Sequence, residues 1–455
     1  MKIIILFAKA GGGHESCAKA IKSQIELANS SANFSQNTEN LEAKPPKIEV
    51  ELVDILGKSP QWQQELFCQS YVFLTEKLPF LWSFLQILWK WDFLAKLTSL
   101  PLKIQILPYL KEILTQKPDK IICTYFLVNE WLEEIQRQSN QNKSNHSKKL
   151  PKIPIWTVVT DIFSPHTVWF VAKNCQYLVF SPQAKKSALS QGIKSCNLVE
   201  LSPFFNPKFN QKPSQNEIEN WKLDFFGERG DENNPKTQVL ESDKVTENAK
   251  ESVLKFDNLE KKPEIYGKLP TVLVVGGGES MPKGEEILQN LLKLELNFNL
   301  IFVCGRNVKL MENCQEIVKK WEKNNLSRND SQSKLEIGNP GKVEIFGFTQ
   351  KLYEFINIAD LVVCKAGPAT ILECVSQQKP VIISHFIWEQ EIGNRNFILQ
   401  NGLGFYEPKP KKLAEKVQKL LTNNKELTII QKNYQKVKLE NGLADLAEFI
   451  TQHEL

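Results

Sequence analysis

The chain has 455 residues, 42% of them apolar and 24% charged, a globular composition too long for one ordinary core, so two or three domains are expected. A formal net charge of +5 is too mild for a polybasic nucleic-acid binder, and the basic excess lies in the half before Gln211. Nine cysteines, scattered singly from Cys17 to Cys374 without a C-x-x-C pair, argue against a disulfide framework or zinc ribbon and for a reducing compartment.

The opening MKIIILFAKAGGGH reads as a buried first strand rather than a signal peptide, because its apolar run is short and no small-residue cleavage site follows. No apolar run reaches the roughly 18 residues that would cross a bilayer; the nearest, Leu78 to Trp89, is interrupted by Pro79. Short β-branched runs alternate with helix-length segments, the pattern of parallel sheets crossed by helices. Strands are expected near Lys2–Phe7, Val50–Asp54, Lys120–Cys123, Ile153–Val159 and Tyr177–Phe180, then near Thr271–Val275, Asn299–Val303, Val343–Phe346, Leu361–Cys364 and Val381–Ser384. Each half therefore reads as a Rossmann-like unit. Polar stretches at Asn29–Lys47, Gln138–Lys149 and Phe226–Lys262 bury too little to offset ordering entropy and are read as solvated, partly disordered insertions.

Between Trp62 and Phe93 aromatic residues are concentrated, among them Trp82, Trp89 and Trp91, with Lys77, Lys90, Lys96 and Lys103 nearby. Such a segment suits the headgroup boundary of an anionic membrane, or alternatively a helical pair packed into the core.

Candidate chemistry falls after the strands. The first strand enters AGGGHESCAKAI, where Gly11, Gly12 and Gly13 are expected to form a tight turn and His14 to open the next helix, at an edge where open α/β sheets bind ligands. A locally hydrogen-bonded helix residue is the alternative for His14. The second half repeats the device, TVLVV entering GGGESM (Gly276–Met281) before a helix from Pro282, which suggests a diphosphate in the cleft between halves. LVVC is followed by KAGPATILE, placing Gly367, Pro368, Ala369 and Thr370 at a helix start, suited to phosphate oxygens. Glu373, one turn on, suits a vicinal diol such as ribose, or is an ordinary helix-surface acid. Gln390, Glu391 and Asn394 follow PVIIS and suit sugar hydroxyls, or cap a helix. Thr160, Asp161, His166 and Trp169 follow IPIWTVV, where a carboxylate and an imidazole suit proton transfer or acceptor positioning, or Asp161 only caps a turn. No His, Asp and Glu cluster has metal-ligand spacing.

Taken in order, GGGHESCAKAI, VVTDIFSPHTVWF, VVGGGESM, VCGRN, GFTQKLYEFINIADLVVCKAGPATILE and QEIGN followed by NGLG resemble the family 28 glycosyltransferases of GT-B fold. More narrowly they resemble the branch containing monogalactosyldiacylglycerol synthases and bacterial diacylglycerol glucosyltransferases. The resemblance implies an α/β protein of two Rossmann-like domains whose parallel sheets face across a cleft. It implies an acceptor and membrane-docking domain at 1–210, a linker with polar insertion at 211–268, a UDP-sugar domain at 269–425 and C-terminal helices at 426–455. Gly277, Gly278 and Glu279 would lie near the diphosphate, Arg306 and the Phe348 backbone near uracil, Gly367 to Thr370 at phosphate, Glu373 on ribose, and Gln390 and Glu391 at the hexose, with Asn394 also in the UDP-sugar site. His14 would be the base, with Asp161 second, and Gly12, Gly13, His166 and Trp169 would lie by the acceptor.

The implied activity is inverting transfer of galactose or glucose from a UDP-sugar to diacylglycerol, without cofactor or metal. It would take place at the cytoplasmic side of a membrane, with an anionic lipid surface and no nucleic acid as partner. Two departures stand out: Ala369 replaces a glycine common in the family, and His166, Thr167, Val168, Trp169 and Phe170 stand where it has H-P-T-W-F. N-acetylglucosaminyl transfer to a lipid-linked peptidoglycan precursor, UDP-N-acetylglucosamine 2-epimerisation and a silent nucleotide-sugar binder are the competing expectations.

Overall fold

A computed structural model describes residues 1–9, 12–35, 48–57, 59–60, 64, 70, 73–74, 78–89, 91–141, 150–226, 269–278, 281–326 and 341–452. The first half runs β1 (Lys2–Phe7), α1 (Gly12–Ser35), β2 (Glu49–Asp54), α2 (Pro79–Leu88), α3 (Asp92–Thr115), β3 (Lys120–Cys123), α4 (Phe126–Gln141), β4 (Ile155–Val158), β5 (Gln176–Val179), α5 (Pro182–Ser190), β6 (Leu198–Glu200) and α6 (Gln215–Phe226). The second runs β7 (Thr271–Val275), α7 (Gly284–Leu291), β8 (Asn299–Val303), α8 (Val308–Leu326), β9 (Val343–Phe346), α9 (Leu352–Ile358), β10 (Leu361–Lys365), α10 (Pro368–Ser376), β11 (Val381–His385), α11 (Ile392–Gln400), β12 (Gly404–Tyr406), α12 (Pro410–Thr422), α13 (Asn424–Tyr434) and α14 (Leu443–Gln452).

The strands form two six-stranded sheets, ordered β2-β1-β3-β4-β5-β6 and β12-β11-β10-β7-β8-β9. Strands such as KIIILF and TVLVV are almost wholly buried, as parallel strands covered by helices on both faces must be. All neighbouring pairs are parallel, so within each sheet every strand ends at the same edge. The order reverses between β1 and β3 in the first sheet and between β7 and β10 in the second, and at each reversal the connections part and leave a crevice. The two strands beyond those expected, β6 and β12, are three-residue edge strands.

Three expectations about boundaries change. α1 opens at Gly12 rather than at His14, so His14 lies inside its first turn; the turn expected to include Gly11 reaches outside the described residues. The helix expected from Pro282 begins at Gly284, after Lys283 in the left-handed region at φ 56°. The polar insertions are narrower than expected, because α1 continues to Ser35, α4 reaches Gln141 and Phe226 is a buried helical residue. Their remainders lie outside the described residues.

The halves are joined by contacts that position the site. The first-half loop after β4 docks on α11: Gly393 N–H donates to Ser164 Oγ at 2.9 Å, and Phe163 stacks on Phe397 with ring centroids 4.4 Å apart. Gly393 is required by this approach, since a Cβ there would fall 2.7 Å from the Phe163 carbonyl carbon and from Ser164 Cβ and Oγ. At the far end of the chain α14 returns to the first sheet, Lys120 Nζ donating to the Ile450 carbonyl at 2.6 Å and Phe449 meeting Trp156 at 5.1 Å.

Replacing Gly393 by Ala should therefore lower the urea midpoint by an amount corresponding to about 1–3 kcal/mol of overpacking, although alanine is the better helix former. Ser164→Ala should cost about 1–3 kcal/mol by comparison, since the hydroxyl both accepts from Gly393 N–H and donates to the Gln390 carbonyl.

Candidate active site

The first-sheet crevice holds His14. Its Nδ1 lies 2.7 Å from the Thr124 carbonyl, just past β3, and 3.2 Å from Thr160 Oγ1, just past β4. A carbonyl only accepts, so Nδ1 carries the hydrogen and Nε2 is the basic nitrogen. Burial pushes the imidazole down to about 4, against the Thr124 carbonyl, which favours the protonated ring. Tyr125 meets the ring edge-on at 5.2 Å and Trp169 lies 6.0 Å away. Gly12 is the first residue of α1, and a Cβ on Gly13 would meet nothing within 4 Å.

Asp161 shares this pocket. Trp169, itself buried, donates its indole N–H to Asp161 Oδ2 at 2.8 Å. Burial pushes the carboxyl up to about 7; the Trp169 and His166 backbone hydrogen bonds pull it down, and the negative charge of Glu391, from the second half, adds to the rise. Trp169 therefore holds the carboxylate, in place of the acceptor contact expected of it.

The acceptor-side expectation for His166 also changes. It is 4% exposed, with Nε2 donating to the Gln86 carbonyl at 2.9 Å and Nδ1 accepting from Val168 N–H at 3.2 Å. Both ring nitrogens are engaged in fastening α2 to the loop that carries Asp161.

The second-sheet crevice is built from glycine turns. Gly277, at φ 83°, and Gly278 follow β7, and the turn after β8 closes on them, Arg306 N–H donating to the Gly278 carbonyl at 2.9 Å. Gly305, at φ 63°, permits this closure: a Cβ there would stand 2.7 Å from the Gly277 carbonyl oxygen and 2.8 Å from that of Gly278. The Arg306 guanidinium lies 4.3 Å over the ring of Phe348, which is 54% exposed and offers a flat platform at the rim. Glu279 lies outside the described residues.

Beside these turns, Gly367 caps α10, with Pro368 at its first position and Ala369 and Thr370 in its first turn. Thr370 and Glu373 are buried, and burial alone pushes the Glu373 carboxyl up to about 8. Glu391 precedes α11 and is buried, its Oε2 accepting from Ile387 N–H at 2.8 Å. Glu389, two residues earlier, is in the left-handed region at φ 68°, a conformation that a non-glycine residue adopts at a cost. The Gln390 carbonyl accepts from Ser164 Oγ at 3.3 Å. Asn394, placed with the sugar groups from sequence, is 1% exposed; its Nδ2 donates to the Ala366 carbonyl at 2.8 Å, tying α11 to the Gly367 turn.

Sequence reasoning gave no role to Thr124, which follows β3, to Gly305, two residues past β8, or to Lys365, the last residue of β10. Lys365 ends β10 with its Nζ 3.8 Å from Glu391 Oε1. Among the described residues, no three His, Cys, Asp or Glu side chains gather as a metal-binding group.

The aromatic segment is divided. Trp82 is buried, contrary to its expected place at a membrane, and meets the half-buried Trp89 at 5.8 Å. The outward face of α2 carries Phe80, Leu81, Phe84 and Ile87, and Trp91 beyond it is 69% exposed. Leu97, Leu100 and Ile104 extend the exposed apolar surface along α3. The expected lysine contribution also changes: Lys96 pairs with Glu130 and Lys103 with Glu134, while Lys77 and Lys90 lie outside the described residues. A cavity of about 250 Å³ lies between α2 and the end of β11, lined by Phe80, Trp82, Ser83, His385, Phe386, Ile387, Trp388 and Tyr406. Among the described residues, no helix is long and apolar enough to cross a membrane.

Residues 14–201 match the model of monogalactosyldiacylglycerol (MGDG) synthase, and residues 271–449 match the glycosyltransferase family 28 C-terminal domain. In its two halves the chain is thus similar to monogalactosyldiacylglycerol synthases and to family 28 glycosyltransferases. It is 24% identical over 425 residues to the probable chloroplastic monogalactosyldiacylglycerol synthase of Nicotiana tabacum, covering 91% of this chain and 63% of that one. The Spinacia oleracea monogalactosyldiacylglycerol synthase is 24% identical over 429 residues, covering 91% of this chain and 65% of its own length. The chain thus spans under two thirds of the length of these relatives. In fold it is similar to Acinetobacter baumannii MurG, with a TM-score of 0.51 at 13% identity and 99% coverage of both chains. The two parallel sheets form a GT-B architecture.

Because the native state holds the Asp161 proton more tightly than the unfolded chain does, this group makes stability fall as pH rises from about 4 to about 7. Asp161→Asn removes that penalty. Its melting temperature should exceed that of the original chain near pH 8, and the difference should shrink near pH 5, as read by thermal denaturation at both pH values.

Proposed function

We propose that the chain transfers a hexose, galactose or glucose, from a UDP-sugar to the free hydroxyl of diacylglycerol, inverting the anomeric centre to give a β-glycoside. The observation that carries the reading is the pairing of the two crevices: a histidine with a fixed tautomer and a carboxyl in one, and a glycine-lined anion cradle in the other. Glu391 is close enough to Asp161 to influence its ionisation. The match of residues 14–201 to the MGDG synthase model supports diacylglycerol as acceptor over a peptidoglycan precursor. Shared fold alone does not select a chemistry.

In this reading, the turns at Gly277, Gly278 and Gly367 to Thr370 receive the diphosphate on backbone N–H groups. Glu373, kept largely protonated near neutral pH, can both donate to and accept from the ribose diol. Arg306 and Phe348 flank the uracil, and Gln390 and Glu391 hold the hexose. His14 Nε2 removes the acceptor proton as its oxygen attacks the anomeric carbon, and the N–H groups stabilise the departing UDP. As proposed, the transfer calls on no metal ion or other cofactor. The apolar face of α2, with Trp91, rests on the cytoplasmic side of an anionic membrane, and the adjoining cavity receives the glycerolipid.

Asp161 is the second candidate base, favoured by a pKa near neutrality. The two bases predict different pH profiles. With His14 as base, kcat/KM stays level as pH falls until it approaches about 4; with Asp161, it falls as pH drops through about 7. His14→Ala should lower kcat/KM by about 10²–10⁴-fold with UDP affinity retained, as measured by calorimetry.

The reading is tested by incubating the protein with diacylglycerol in anionic liposomes and UDP-galactose, UDP-glucose or UDP-N-acetylglucosamine, then analysing the lipid extract by mass spectrometry. A hexosyl-diacylglycerol is the expected product. Unaltered lipid with all three donors, despite UDP binding, would overturn the acceptor assignment. For the membrane face, replacing Phe80, Phe84 and Ile87 together by Ser should reduce liposome sedimentation while leaving UDP affinity unchanged.

A further inference from the structure

Lys365 is not used by the roles above, yet it stands where they meet. It closes β10 at the order reversal of the second sheet, and its side chain runs between the two glycine turns. Its Cε lies 3.9 Å from where a Cβ on Gly277 would stand and 3.7 Å from where one on Gly367 would stand. A Cβ on either turn would thus stand in ordinary van der Waals contact with this stem. The ammonium group is 3.8 Å from Glu391 Oε1, too long for a well-formed charge-assisted hydrogen bond. Its charge also reaches His385 at the end of β11.

A cation thus lies between backbone donors suited to phosphate and a buried carboxylate suited to a sugar hydroxyl. A diphosphate in the cradle would place negative charge near Glu391, and Lys365 is the group between them that offsets that repulsion. The flexible four-carbon stem of lysine allows its head to change partner without moving the strand.

Resting on the donor reading given above, we propose that Lys365 binds the diphosphate of the donor by exchanging partners, leaving Glu391 for a phosphate oxygen and releasing that carboxylate to hold the hexose. No proton changes hands. Binding of the nucleotide part thereby prepares the sugar contact, and the same cation meets the charge that develops on the departing UDP.

Calorimetric titration of UDP and uridine into the original chain, Lys365→Met, Lys365→Arg and Glu391→Gln tests this. Lys365→Met should weaken UDP by about tenfold or more, as for a lost charged hydrogen-bond partner, and leave uridine unchanged. Lys365→Arg should recover most of the UDP affinity. Glu391→Gln, which removes the competing partner, should bind UDP at least as tightly as the original chain and lose the advantage of UDP-hexose over UDP. Unchanged UDP affinity in Lys365→Met would overturn the proposal. So would equal loss of UDP and uridine, which would make Lys365 a prop for the turns, and weaker UDP binding by Glu391→Gln would overturn the exchange. If the original chain bound neither ligand, the donor reading itself would fall, and this inference with it.

Discussion

In a parallel sheet every strand delivers its following loop to the same edge, and nearly every group described in the site depends on that constraint. At the reversal between β1 and β3, His14 and Thr124 leave adjacent strands and meet across the gap. At the reversal between β7 and β10, the Gly277 turn and Lys365 do the same. The chemistry is assembled from residues far apart in sequence because strand order makes them neighbours. The loop after β4, docked on α11, then brings one crevice to the other.

His14 and Asp161 are half-buried and Glu373 is buried, and their ionisation shows it. Burial moves His14, Asp161 and Glu373 in opposite pKa directions but always toward the neutral form. The charge that remains is concentrated on Lys365, Arg306 and Glu391. A site of this kind suits an anionic donor meeting an uncharged acceptor. Its construction costs stability, through desolvated carboxyls and through the left-handed backbone at Glu389.

Much of this was legible in the sequence. Buried parallel strands are nearly continuous apolar runs, and the ten long ones could be read from them, whereas β6 and β12 are too short to leave a pattern. Glycine-rich turns marked both crevices. The orientation of side chains in irregular loops has no periodicity to reveal it, so sequence places Trp169 and His166 by an acceptor, whereas one holds Asp161 and the other holds α2. In α2 the signal was present: Trp82, Gln86 and Trp89 share one helical face, and Phe80, Phe84 and Ile87 another. Aromatic content alone obscured which face was outward. Lys365 was hidden because one lysine beside a glycine turn resembles any other until strand order places a second turn next to it.

The bond from His166 to the Gln86 carbonyl ties α2 to the loop that carries Asp161. The helix with the outward apolar face is thereby linked to the carboxyl. Its tilt and depth at any surface on which it rests would set the height at which that carboxyl stands, so anchorage and alignment are one adjustment rather than two.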